Sequence, residues 1–210
     1  MLVSMTCEPL TKRTYQDALA ILGALDPDLG SVLAEHGPPP MWSRKPGFAT
    51  LVHIILEQQV SLASAKAAFD RLRQAVPRLT PAEFLKLDSN GLKRIGFSRQ
   101  KSRYCRGIAE ALVDGSLSLK RLEKSNDQAA RAELLQLTGI GRWTADIYLL
   151  MALRRPDVWP SGDLALARAA QQVKRLESRP SEAELETIGK AWKPWRAVAA
   201  RILWHHYLSC

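Results

Sequence analysis

The 210-residue chain is poor in cysteine, has no long apolar run and shows almost no strand-like alternation of side chains. Its three cysteines, Cys7, Cys105 and Cys210, are odd in number and far apart, which excludes a disulfide framework and a cysteine metal cluster. No run of about 18 apolar residues is present, so no membrane span is expected. Glu8 and Lys12 interrupt the only N-terminal stretch that could resemble a signal peptide. We therefore expect a soluble intracellular protein.

The charge balance is basic. The chain has 30 Lys and Arg against 21 Asp and Glu, giving a net charge of +9 and a pI near 9.7. This balance favours a polyanionic partner such as nucleic acid, but many basic proteins bind none, so charge alone leaves both readings open.

Helix signals recur along the chain and predict an all-α fold with about ten helices. The segment 48–59 is almost wholly apolar and is predicted to be central. Ser181 and Glu184 have the spacing of a capping box. Apart from the pair of helices described next, helices are predicted over residues 14–25, 26–36, 48–59, 61–76, 81–87, 98–113, 163–173, 181–189 and 194–208.

Residues 137–145 read Leu-Thr-Gly-Ile-Gly-Arg-Trp-Thr-Ala and lie between two predicted helices. The first is predicted to start at a capping box of Ser125 and Gln128, and the second to run as far as residue 153. Gly139 and Gly141 allow a tight turn, because glycine adopts positive φ without penalty. They also leave backbone N–H groups bare at the start of the second helix, where the helix dipole favours an anion. A DNA phosphate is the natural occupant.

This segment, followed by Pro160-Ser161-Gly162-Asp163, resembles the helix-hairpin-helix, Gly/Pro-rich loop and Asp signature of the base-excision DNA glycosylase superfamily. Within it, the chain most resembles the bacterial 3-methyladenine DNA glycosylase II family. Further matching blocks lie in order between residues 45 and 207: Ile55–Ser61, Gly96–Lys101, Trp192–Arg196 and Trp204.

The resemblance implies two helical lobes with the active-site cleft between them. Residues 45–157 would form one lobe, with the hairpin at 125–153, and residues 1–44 plus 158–210 would form the other, carrying Asp163. The chain is too short to include the β-rich N-terminal domain of the best-known bacterial members, and resembles the compact bacterial and yeast forms.

Asp163 occupies the family's catalytic position. Cleavage of an N-glycosidic bond builds positive charge on the sugar, and one carboxylate beneath it can stabilise that charge and draw a proton from the attacking water. The alternative role for Asp163 is that of a helix N-cap, for which Asp is well suited. Asp146 and Asp157 are its nearest rivals, and both read as ordinary exposed carboxylates.

Trp143 stands where strand-nicking members of the superfamily have a lysine that attacks the sugar. Because tryptophan has no amine, the resemblance implies base release by water without lyase activity. Lys101 and Lys193 do not occupy that position.

Trp143 and Trp204 also match pocket tryptophans of the family, which would stack on an extruded base; core packing is the alternative. The family's pocket tyrosine is replaced by Ile147, and Tyr148 would point about 100° away on a helix. We therefore expect a roomier, less selective pocket.

The resemblance assigns the wedge that fills the space of the flipped base to Gln59 in place of leucine, with Gln58 beside it; the alternative is that both are solvated loop residues. It also implies a monovalent cation, Na⁺ or K⁺, at the backbone of residues 136–141, and no other cofactor. An iron–sulfur cluster is not expected, since four closely spaced cysteines are lacking. The residues expected to contact DNA phosphates are Thr138, Gly139, Gly141, Arg142, Lys101 and Arg99.

The function that this resemblance implies is removal of alkylated bases such as 3-methyladenine, 7-methylguanine or 1-methyladenine from double-stranded DNA, by a monomer in the bacterial cytoplasm. One alternative is a glycosylase for deaminated, oxidised or mismatched bases. Another is a non-catalytic helix-hairpin-helix module, which would account for the glycines and the charge but has no use for Asp163.

Overall fold

The structure is a computed structural model and describes residues 8–209. Within that span the chain forms α-helices and no strand, which confirms the predicted all-α fold. The predictions on Cys7 and Cys210 fall outside the described residues. The helices are α1 Lys12–Leu25, α2 Pro27–His36, α3 Phe48–Glu57, α4 Leu62–Ala75, α5 Pro81–Leu85, α6 Ser89–Ile95, α7 Arg99–Val113, α8 Leu119–Lys124, α9 Asp127–Leu135, α10 Arg142–Ile147, α11 Leu164–Val173, α12 Glu182–Gly189 and α13 Arg196–Ser209.

Two short non-α turns complete the helical structure. A π-helical turn, Tyr148–Ala152, continues α10, so the single helix predicted as far as residue 153 changes its hydrogen-bonding pattern after Ile147. A 3₁₀ turn, Lys190–Trp192, follows α12.

Helix starts follow the capping residues of the sequence, with one correction. The Ser181–Glu184 capping box at α12 is confirmed. The capping box of Ser125 and Gln128 is wrong, because α9 is capped by Asn126, whose side chain accepts the Ala129 N–H at 2.8 Å. Asparagine is among the best N-cap residues, so the nearer side chain takes the position.

Two helices, α6 and α8, were absent from the sequence prediction. Each has only one or two turns, and each starts at a side-chain cap, Asp88 for α6 and Ser118 for α8. Helices this short depend on tertiary packing for their stability, and their periodicity is too brief to detect in a sequence.

The chain divides into two compact units. One contains residues 44–148, and the other contains residues 8–43 together with 149–209. The sequence had placed residues 149–157 with the hairpin, but hydrogen bonds hold them in the other unit. Arg201 donates to the Leu150 carbonyl at 2.9 Å, and Leu10 N–H donates to the Arg154 carbonyl at 2.8 Å.

In the unit formed by residues 44–148, α3 is the central element, as its apolar sequence predicted. Seven of its ten residues are buried, and it packs against α4, α7 and α10. The ring centroids of Phe48, from α3, and Phe84 are 5.4 Å apart, and those of Phe84 and Phe97 are 5.9 Å apart. Burying these rings removes a large apolar area from water, which stabilises this unit.

In the other unit, α13 is the central element and packs against α1, α2 and α11. Its buried residues run without interruption from Ala197 to Trp204 and include Arg201. The Arg201 guanidinium donates to the carbonyls of Met41, Ala197 and Leu150, so its polar groups are satisfied inside the core. Burial lowers the pKa of Arg201 to about 10.

Asp26 joins three parts of the same unit. Its carboxylate caps α2, accepts from Lys174 Nζ at 2.7 Å and accepts from the buried Trp192 indole at 2.8 Å. Burial alone would raise the pKa of Asp26, but the hydrogen bonds from Lys174 and Trp192 and the Lys174 charge together hold it below its usual value.

Replacing Asp26 by Asn should lower the free energy of unfolding at pH 7 by about 2 to 3 kcal/mol, because charge-assisted hydrogen bonds are lost. Since the folded-state pKa is lowered, this contribution is complete above the ordinary aspartate pKa and is lost as the pH falls below about 4. Urea unfolding of wild type and variant at pH 7 and pH 3.5 measures this contribution to the free energy of unfolding. The exposed Asp17→Asn is the control; a gap between wild type and Asp26→Asn that did not shrink at low pH would contradict the assignment.

Candidate active site

The hairpin joins α9 to α10 through a tight turn. Ile140 N–H donates to the Leu137 carbonyl at 3.0 Å, and Gly139 has φ +92°, a conformation that favours glycine. The Tyr104 ring of α7 lies directly against Gly139, so that a Cβ at this position would overlap the ring atoms. Gly139 therefore meets two constraints at once, positive φ and close approach of an aromatic ring.

Gly141 has a different role from Gly139. It is the N-cap of α10, has φ −90°, and has no neighbour that a Cβ would meet. No side chain caps this helix, and Thr138, Gly141 and Arg142 are all exposed. The start of α10 thus presents backbone N–H groups where a phosphate could accept hydrogen bonds.

A buried ion pair clamps the two hairpin helices together. Asp146 of α10 is fully buried, and its carboxylate accepts from Arg131 Nε of α9 at 2.6 Å, with Arg142 Nε at 3.7 Å. The expectation that Asp146 is an ordinary exposed carboxylate is wrong. Breaking a buried pair leaves an uncompensated charge, so Asp146 is a structural residue of the hairpin.

Asp157, the other rival of Asp163, is also paired. Both of its oxygens accept from Arg196, at 2.9 Å from Nε and 2.8 Å from Nη2, and the Asp157 side chain is only 26% exposed. This two-pronged geometry fixes the start of α13. It corrects the expectation of a solvated carboxylate.

The cations predicted to contact phosphate differ in their surroundings. Arg99 and Arg142 are exposed. Lys101 instead directs its ammonium at the main chain, donating to the Leu56 carbonyl at 2.7 Å and the Gln58 carbonyl at 2.9 Å. Burial lowers the pKa of Lys101. Lys101 therefore holds the end of α3, and its contact with a DNA phosphate stays a prediction.

The two glutamines after α3 are also distinct. Gln58 turns inward, and its amide nitrogen donates to the Gly139 carbonyl and to Thr144 Oγ1, both at 2.9 Å. Its amide is thus engaged with the hairpin, which corrects the description of Gln58 as a solvated glutamine, while its place beside the wedge stays a prediction. Gln59 is exposed and has φ +56°.

The pocket residues predicted on α10 are Trp143, which is half-buried, and Ile147, which is 3% exposed. Tyr148, the residue that follows the missing family tyrosine, is fully buried, and its hydroxyl accepts the Gly47 N–H at 3.2 Å. Burial raises the pKa of Tyr148 to about 12. Tyr148 is therefore a core residue and does not replace the absent pocket aromatic.

Asp163 lies in the other unit, at the start of α11. Its Oδ1 accepts the Leu166 N–H at 2.7 Å, so the helix-cap alternative is correct as a description of local structure. The same Oδ1 accepts the Trp204 indole N–H at 3.2 Å, and the Asp163 N–H donates to the Pro160 carbonyl at 2.9 Å. The carboxylate is thus held in one orientation beside an aromatic ring, a contact the sequence did not reveal.

Residues 8–209 hold no group of three or more His, Cys, Asp or Glu side chains placed to bind a metal ion. None of the helices in that span is long and apolar enough to cross a membrane. Cys105 is buried, which raises the pKa of its thiol.

The sequence model of the HhH-GPD superfamily of base excision DNA repair proteins matches residues 52–195. The chain belongs to this superfamily, which confirms the resemblance drawn from the hairpin and Asp163.

Several relatives are named as 3-methyladenine DNA glycosylases. DNA-3-methyladenine glycosylase 1 of Schizosaccharomyces pombe is 28% identical over 180 residues, which cover 84% of this chain and 79% of that protein. A Bacillus subtilis protein provisionally named for the same activity is 26% identical over 184 residues; the match covers 84% of this chain, which spans only 64% of that protein's length. The solved structure of the S. pombe enzyme in complex with abasic DNA has a TM-score of 0.78 at 27% identity, covering 90% of this chain and 95% of that one.

The two hairpin glycines allow a matched test. Gly139→Ala should lower the free energy of unfolding by about 2 to 4 kcal/mol, because alanine is strained at positive φ and its Cβ overlaps Tyr104. Gly141→Ala should cost no more than about 1 kcal/mol, since the site is open and only the poorer N-capping of alanine acts against it. Chemical unfolding monitored by circular dichroism compares them. Equal losses in the two variants would contradict this account of the turn.

Proposed function

We propose that this chain is a monofunctional DNA glycosylase that removes alkylated purines such as 3-methyladenine, and also 7-methylguanine or 1-methyladenine, from double-stranded DNA. The observation that carries the proposal is the double anchoring of Asp163 Oδ1 by the Leu166 N–H and the Trp204 indole. A carboxylate held in this way can stabilise positive charge without reorganising during the reaction. We further propose that it acts as a monomer in the bacterial cytoplasm.

The proposed reaction is hydrolysis of the N-glycosidic bond. The bond breaks with its electron pair going to the base, and an alkylated purine that is already cationic leaves neutral without needing a protonating acid. The developing oxocarbenium ion is stabilised by the Asp163 carboxylate, and water adds to the sugar carbon as its proton passes to that carboxylate. Because Trp143 offers no amine to the sugar, the product is an intact abasic site.

DNA would be held first through its phosphates. The uncapped start of α10 supplies backbone N–H groups at Gly141, and the exposed Arg142 and Arg99 add positive charge. A Na⁺ or K⁺ at the backbone of residues 136–141 would strengthen this contact. The Gly139 carbonyl accepts one hydrogen bond from Gln58, which leaves its second lone pair for such an ion.

Extrusion and selection of the base would involve Gln59, Trp143 and Trp204. Gln59 is exposed on a turn and could hydrogen-bond the partner base left unpaired, which a leucine could not do. Aromatic faces attract cationic bases through stacking and cation–π interaction. With Ile147 at the position where the resemblance places a pocket tyrosine, shape and charge would select the base more than specific hydrogen bonds.

Asp163→Asn tests the catalytic assignment. Asparagine is an equally good N-cap and can still accept from Trp204, so the variant should fold and bind DNA while base release falls about a hundredfold or more. The measurement is chromatographic release of free bases from methylated duplex DNA, with Asp17→Asn as the control.

Treatment of the same reactions with alkali tests for lyase activity. Strand breaks should appear only after alkali; breaks without it would contradict the monofunctional assignment. Undiminished base release by Asp163→Asn would overturn the assignment of Asp163 as the catalytic residue. DNA binding without release of any methylated base would favour another lesion first and a non-catalytic module second.

Trp204→Phe tests the indole contact separately. Phenylalanine keeps an aromatic face but removes the hydrogen bond to Asp163, and base release should slow by roughly tenfold with little change in stability. Trp192→Phe is the matched control, because it also removes an indole hydrogen bond to an aspartate, Asp26, but away from Asp163. It should lower the melting temperature and leave the release rate unchanged. Slower release by Trp192→Phe with unchanged release by Trp204→Phe would contradict the assignment of Trp204 to the site and of Trp192 to stability.

A further inference from the structure

The turn at the end of α3 has an unusual backbone and a well-defined set of anchors. Gln58 is the C-cap of α3, and Gln59 adopts φ +56°, which a residue with a side chain rarely does. Such a conformation persists only where surrounding contacts determine it, and it often accompanies function. Gln59 itself is exposed, so the contacts that hold the turn come from its neighbours.

The first anchor is the side chain of Gln58. Its amide nitrogen reaches both sides of the hairpin, donating to the Gly139 carbonyl in the turn and to Thr144 Oγ1 in α10, each at 2.9 Å. Thr144 is buried, at 2% exposure. One amide group therefore ties the residue before Gln59 to the same turn that presents Gly141 and the start of α10.

The second anchor is Lys101 of α7. Its ammonium donates to the carbonyls of Leu56 and Gln58, at 2.7 and 2.9 Å. Carbonyls at the end of a helix lack partners within it, and a cation there satisfies them and is favoured by the helix dipole. Lys101 thus fixes the last carbonyls of α3 from one side while Gln58 fixes the turn from the other.

We propose that Gln58 and Lys101 are positioning residues that tie Gln59 to the hairpin, so that phosphate binding at the hairpin also sets where Gln59 enters the DNA. The proposal rests on the proposed function in two respects, the use of Gln59 as the wedge and the binding of phosphate at the hairpin. Of the two glutamines that could have been wedges, Gln58 instead acts through Gln59. Lys101 fixes main-chain geometry rather than contacting DNA.

The alternative is that Gln58 merely stabilises the hairpin. A double-mutant cycle separates the two, because residues that act through one another are not additive. The variants are Gln58→Met, which keeps the side-chain length but cannot donate, Gln59→Ala, and the double variant. The readout is the ratio of affinities for a duplex containing a tetrahydrofuran abasic analogue and for the undamaged duplex, which does not depend on base release.

Each single variant should reduce this ratio by roughly tenfold, the equivalent of about 1.4 kcal/mol. The double variant should be no worse than the more affected single variant, and affinity for undamaged duplex should be unchanged in all three. Base release should follow the same pattern, with kcat reduced and KM little altered. Gln58→Ala provides a second test if Gln58→Met lowers the melting temperature, and the exposed Gln128→Ala of α9 is the control.

Lys101→Met tests the second anchor. It should reduce the abasic preference without reducing affinity for undamaged duplex, whereas loss of a phosphate-binding cation would weaken both equally and flatten the salt dependence. Lys93→Met removes the same charge from an exposed position of α6 and is the control.

Additive effects in the cycle would overturn the positioning role while leaving the glycosylase proposal intact. So would a Gln58→Met variant that loses as much affinity for undamaged duplex as for abasic duplex. Conversely, the wild type could release no base while the cycle still shows a non-additive loss of the preference for abasic DNA. That result would support the tie between Gln59 and the hairpin and reject the glycosylase proposal.

Discussion

The Oδ1 atom of Asp163 is the point on which the candidate site depends. It accepts from the first turn of α11 and from the indole of Trp204 on α13, so one oxygen both starts a helix and joins two helices of the same unit. The structural and chemical readings of Asp163 are therefore not competitors. The hydrogen bonds that make it a good cap also fix its orientation, which a stabilising carboxylate requires.

Several positively charged side chains of this protein are buried or paired within the fold instead of facing solvent. Arg201 is fully buried, Arg131 is paired with Asp146, and Lys101 is directed at carbonyls. The net charge of +9 therefore overstates what is available to a polyanion. Electrostatic attraction to DNA would come from fewer residues, among them the exposed Arg99 and Arg142, while the buried cations set the geometry of main-chain segments.

Periodicity and capping residues predicted the helical class, the central position of α3 and the cap at Ser181, because these are local properties of the sequence. The short helices α6 and α8 and the shift of the α9 cap depend on packing or on competition between adjacent polar residues, which a pattern does not resolve. The site divides in the same way. Its motifs located Gly139 and Asp163, but only coordinates reveal that Gln58 and Lys101 turn inward.

The order of residues along the chain also constrains how the protein is made. The unit of residues 44–148 is continuous in sequence, so every partner it needs is present once residue 148 has left the ribosome. The unit that carries Asp163 is interrupted: α1 and α2 are synthesised before the hairpin unit but pack against α13, which is synthesised after it. Domains tend to fold as units during synthesis, so the hairpin unit can be complete while α1 and α2 still await their partner. Asp163 gains its indole contact only when α13 docks, so its carboxylate can be anchored only after the hairpin unit has been synthesised.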